Sequence, residues 1–98
     1  MIIQDVVTAL ENAAGPIVKV LVKGAAGKVL ALGLKKGMVL KEHQTGVNTR
    51  LVVIDGQINY FSAQGTVTMN KFDELDIPVN EPHSVVALKD SICFLIQV

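Results

Sequence analysis

Regular punctuation constrains this chain more than any other feature. From Ile17 onward, short runs rich in β-branched residues and leucine are broken by glycine, proline, asparagine and aspartate. The breaks recur at roughly eight to twelve residues, a spacing that admits strands and turns but no long helix. Ile17–Lys23 and Lys28–Leu34 flank Gly-Ala-Ala-Gly and read as a hairpin with a four-residue turn. Met38–Leu40 opens a short strand that carries the chain to His43. Leu51–Ile54 and Gln57–Ala63 flank Asp55-Gly56, the pair that a type I′ hairpin turn favours. Gln64-Gly65 turns the chain again, so Leu51–Asn70 reads as a three-strand meander. Phe72–Ile77, His83–Leu88 and Ser91–Val98 complete about eight or nine strands, the pattern of a β-sandwich or barrel.

The first residues differ. Ile2, Ile3, Val6, Val7, Leu10, Ala13 and Ala14 recur at helical spacing, and Gly15-Pro16 cannot continue a helix. A helix over 1–15 is therefore predicted, with a strand as the alternative for its first few residues. Ser91–Val98 is apolar on both faces and needs cover on both sides. A second sheet would supply one side, a partner subunit or the N-terminal helix the other. The expectation is one domain over 1–98, with the barrel over 17–98, and a homodimer that covers its open edges.

Half of the 98 residues are apolar and the formal net charge is zero. That balance argues against nucleic acid as a partner, which calls for a basic field. No run approaches the roughly 18 apolar residues of a membrane span, and the opening Met-Ile-Ile-Gln-Asp has no cationic leader. The one cysteine, Cys93, sits within Ile-Cys-Phe-Leu-Ile and reads as core filler. These features suit a reducing, cytoplasmic setting.

Two stretches carry most of the chemistry. Gly37-Met-Val-Leu-Lys-Glu-His43 sets five residues between a glycine and a histidine, with Gly56 following. Phe72–His83 runs an alternating strand, Leu75 and Ile77 against Glu74 and Asp76, into the corner Pro78-Val-Asn-Glu-Pro-His83. In this order, on a strand-rich chain, the two stretches resemble the paired motifs of the cupin superfamily, over roughly residues 28–98. Asn80 stands where the second motif usually has glycine, and Phe72 stands at that motif's first glycine, followed by the acidic Asp73. The resemblance implies an all-β fold, the cupin-type double-stranded β-helix or jelly-roll barrel, here with a short N-terminal helix.

It also implies a site. Metal-binding cupins take two histidines and a glutamate from the first motif and a histidine from the second. The corresponding positions here are His43, Thr45, Thr49 and His83, so two of the four ligands are gone. Ala87 replaces the asparagine that ends the second motif. Threonine hydroxyls are poor ligands for zinc, iron or manganese. The expectation is a small-molecule-binding barrel with His43, Thr45, Thr49 and His83 in its cavity, no tightly bound cofactor and no assigned catalytic residue. The alternative is a metal-dependent enzyme of the dioxygenase or isomerase type, holding a divalent metal ion on His43 and His83. Tyr60 and Phe61 read as core or rim packing, Met38 and Met69 as barrel lining, and Arg50 as an outward, solvated strand residue.

Overall fold

Alternation of inward apolar and outward polar residues builds nine antiparallel strands, and a computed structural model describes all of them within Met1–Val98. They are β1 (Ile17–Gly24), β2 (Gly27–Leu34), β3 (Val39–His43), β4 (Thr49–Asp55), β5 (Gln57–Ser62), β6 (Gly65–Asn70), β7 (Glu74–Ile77), β8 (His83–Ala87) and β9 (Ser91–Gln97). One sheet has the order β1-β2-β9-β4-β7 and the other β3-β8-β5-β6. The inward residues of both meet in one core that includes Leu32, Leu51, Val53, Ile58, Met69 and Cys93.

The Gly24–Gly27 turn is tighter than the sequence suggests. Gly24 and Gly27 still pair, which leaves only Ala25-Ala26 to turn the chain.

Asp55-Gly56 does not form a hairpin. β4 pairs with β7 and β9, β5 with β6 and β8, so the dipeptide carries the chain from one sheet to the other. Only Gly56, at φ 94°, takes the positive φ that a type I′ turn needs at both central residues. The crossing is held from the next connection. Ser91 Oγ accepts a hydrogen bond from Gln57 N at 3.0 Å, and Leu88 N donates to Gln57 O at 2.8 Å. A side chain at Gly56 would overlap Ser91 Oγ and the Asp90 carbonyl. Of the expected meander, only β5–β6 is a true hairpin. β8 and β9 likewise belong to different sheets.

The N-terminal helix α1 (Ile2–Leu10) stops at Leu10, short of the predicted 15, with Glu11 as its C-cap. Val6 and Leu10 are buried against Ala31 and Ile92 on the outer face of the five-stranded sheet. Burying two such side chains contributes about 3–6 kcal/mol. Gly33 makes the close approach possible, because an added Cβ would stand 2.7 Å from Val6 Cγ1. The helix therefore covers the outward side of β9, where Ile92 and Phe94 lie, while Cys93 faces the core. Nothing in the chain is helical, long and apolar enough to cross a membrane.

Candidate functional site

His43 and His83 meet because they are register partners on neighbouring strands β3 and β8. Their rings lie 4.2 Å apart, centroid to centroid, tilted by 58°. They stand side by side on one wall rather than facing each other across the barrel. A β-bulge makes the meeting possible. Leu40 pairs with Val85, but His43 pairs with His83, so β3 carries one more residue than β8 over this span. Without the extra residue, Glu42 would turn inward in place of His43. Bulges re-aim side chains in this way.

The corner Pro78–Pro82 delivers His83. Asn80 takes a left-handed φ of 62°, and its N–H donates to Thr45 O at 2.8 Å, tying the corner to the loop after β3. Val85 and Ala87 continue the inward parity of His83 and are buried with it.

Each imidazole is fixed from behind by the carbonyl two residues earlier. His43 Nδ1 lies 2.8 Å from Lys41 O, and His83 Nδ1 lies 3.0 Å from Glu81 O. His83 is only 3% exposed, and this burial lowers its pKa from the ordinary imidazole value. The nearby His43 lowers it further, while the bond to Glu81 O works the other way.

Thr45 and Thr49 lie beside the histidines. Both hydroxyls are 3.1 Å from Val47 O, and 3.4 Å from each other. Together with His43 and His83 they line a cavity of about 240 Å³ between the sheets, whose remaining walls include Leu32, Leu40, Leu51 and Leu95. Arg50 points the opposite way from Thr49. Its guanidinium grips Asp76 through two bonds of 2.8 and 3.3 Å and lies 3.6 Å from Glu74. A larger hollow of about 470 Å³ runs past Arg50 outside the barrel, but that cation is already engaged.

Two residues of the site escaped the sequence reading. Tyr60 was assigned to packing, and it is buried, but its ring also stacks on His83 at 5.6 Å and 21°. Its hydroxyl has no partner in the chain. Burial, and then the Glu81 carboxylate, raise its pKa. Tyr60 does not line the cavity but backs His83, whereas Gln97 on β9 does line it, with its amide 3.4 Å from Thr49 Oγ1. Tyr60 pairs with Val85, two positions from His83, a diagonal that only the register discloses.

Solved structures with this architecture are numerous. A cupin superfamily protein from Desulfitobacterium hafniense superimposes with a TM-score of 0.81 at 11% identity, covering 89% of this chain and 80% of that one. The fold is that of the cupins. An RmlC-like cupin from Desulfovibrio desulfuricans gives a TM-score of 0.75 at 18% identity, over 85% and 82% of the two chains. KdgF from a Halomonas species gives 0.77 at 19%, over 88% and 82%. No family model matches the sequence, and no curated protein does.

The four-ligand metal centre that the cupin motifs imply does not fit the residues present. A transition metal takes three or four strong donors at close range. Here the polar set is two imidazoles and two hydroxyls, and nowhere do three His, Cys, Asp or Glu side chains gather to hold a metal ion.

Proposed function

We propose that the protein binds a small organic molecule in the barrel cavity, without a tightly held metal. The observation that carries this reading is the cavity itself: leucine walls with His43, Thr45, Thr49 and His83 as polar groups of its lining. Apolar enclosure with a few convergent polar groups is the usual make-up of a ligand site. At about 240 Å³ it lies just under the ~300–1,000 Å³ of drug-sized pockets, so the ligand is small.

Thermal denaturation against a panel of small metabolites tests the proposal. A ligand at about 100 times its Kd stabilises the fold by about 2.7 kcal/mol. That corresponds to about 10–20 °C in a domain of this size. The stabilisation should fall away in Thr49→Val or His43→Ala protein. A panel without a hit, or stoichiometric iron, manganese or zinc lost on His43→Ala, would replace this reading with another.

The same proposal includes a homodimer. β1 is the outermost strand of its sheet, and Val18 and Val20 on it are 49% and 47% exposed. An edge strand with bare apolar side chains calls for a cover. Light scattering at micromolar concentration decides it, and a monomer would refute it. The buried, unpaired Cys93 supports a reducing compartment.

A further inference from the structure

We propose that the cavity selects a neutral hydroxyl compound, an alcohol, phenol or enol with an apolar body, over the matching ether or carboxylate. The inference rests on the cavity being a binding site and names the chemistry that site recognises.

A backbone carbonyl can only accept a hydrogen bond. With Lys41 O and Glu81 O facing the two Nδ1 atoms, each neutral ring must carry its proton on Nδ1. The Nε2 atoms are then bare lone pairs, and neither has a partner in the chain. Each threonine has a single hydroxyl proton. Val47 O is the acceptor placed at 3.1 Å from both. Each oxygen keeps lone-pair capacity beyond that bond, and both residues line the cavity. Four convergent side chains therefore offer acceptors, and their own donors are spent. The spare side-chain donor is one N–H of Gln97, whose amide already leans on Thr49.

The walls exclude charge. No Lys, Arg, Asp or Glu lines the cavity, so while both rings are neutral neither a carboxylate nor an ammonium would find a counter-ion. A desolvated, unpaired ion is strongly disfavoured, while a neutral O–H satisfies a bare Nε2 directly. An ether of the same shape brings another acceptor against these lone pairs and leaves them unpaired.

Two measurements on chelator-treated protein at pH 8 test this. The first is long-range proton–nitrogen correlation on histidine-labelled protein, which identifies the protonated nitrogen of each ring. Both rings should carry the proton on Nδ1. A proton on Nε2 in either ring overturns the wiring, whatever binds. The second is NMR titration with phenol, anisole and benzoate, following the Thr49 methyl and the two imidazoles. Phenol should bind at least about tenfold more tightly than anisole, equivalent to about 1.4 kcal/mol, and benzoate should not compete. Equal affinities for phenol and anisole, or a preference for benzoate, refute the selectivity and leave the cavity standing as a site. If none of the three probes shifts the cavity signals while both protons sit on Nδ1, the inference fails, and the metabolite panel separately decides whether the cavity binds anything.

Discussion

Ser91→Ala should be among the most damaging small substitutions in the chain, although it removes a single oxygen. Ser91 is 1% exposed at the start of β9, where the β4–β5 and β8–β9 crossings come together. Its oxygen accepts from Gln57 N at 3.0 Å and has Lys89 O at 2.7 Å and Gln57 O at 3.2 Å. One hydroxyl proton serves one carbonyl, and the shorter distance favours Lys89. Alanine thus removes the donated bond, with a net contribution of about 1 kcal/mol. It also deprives a part-buried N–H of its acceptor, which costs a further ~1–3 kcal/mol. The sum is about 2–4 kcal/mol, or a fall in melting temperature of about 8–30 °C for a domain of this length. Chemical denaturation followed by circular dichroism measures it. Ser62→Ala is the control: Ser62 Oγ accepts from Gln64 N at 3.2 Å in an exposed turn, and its loss should fall within about 0.5 kcal/mol. Equal effects at the two serines would show that the crossing is not held by Ser91.

Other expectations follow from single contacts. Gly33→Ala should lift α1 from the sheet, because its Cβ would meet Val6 Cγ1 at 2.7 Å, and faster amide exchange in the helix would report it. Burial depresses the His83 pKa, so the unfolded chain binds that proton more readily than the folded one. Stability should therefore fall as pH drops through about 6.5 and level off below the folded-state value, and His83→Gln should flatten this slope. Cys93, whose pKa burial pushes up to about 12, should be silent to thiol reagents in the native protein and react only on unfolding. Arg50→Ala should leave the denaturation midpoint essentially unchanged, since its ion pairs with Asp76 and Glu74 are exposed.

The strands were legible because each carries its own local pattern. Leu75 and Ile77 against Glu74 and Asp76, or Ser91–Val98 apolar on both faces, need nothing beyond alternation and composition. Pairing was less legible. Asp55-Gly56 has the composition of a hairpin turn, yet the hydrogen bonds of Gln57 to Leu88 and Ser91, more than thirty residues away, send the chain to the other sheet. The site shows the same division. The resemblance of two short stretches to the cupin motifs brought His43 and His83 into consideration. Their placement side by side depends on a bulge between Leu40 and His43 that no residue type announces. Tyr60 joins them through cross-strand register, another relation between distant segments.

Two positions where the cupin motif has glycine carry other residues in this chain. The two non-glycine residues with positive φ are Phe72, at 72°, and Asn80, at 62°. Both stand where the cupin motif has glycine, and both take a left-handed backbone conformation that glycine adopts freely. Asparagine visits this region at little cost, whereas other residues incur about 1–2 kcal/mol. Phe72 is 74% exposed, so core packing does not repay that cost. Its conformation is imposed by the backbone, where Phe72 N donates to Val53 O at 2.7 Å and Asp73 N to Asn70 O at 2.9 Å. The Lys71 ammonium, 5.1 Å from the ring centroid, returns at most about 0.5–1 kcal/mol at an exposed site. Substitutions at 72 should therefore rank by tolerance of the left-handed region and not by hydrophobicity: Asn and Gly at or above Phe, and Val lowest, because β-branching is worst suited there. Denaturation midpoints give the order. If Phe72→Val matched the parent, the turn would have relaxed out of the left-handed region, and the conformation would not be what ties this segment to the motif.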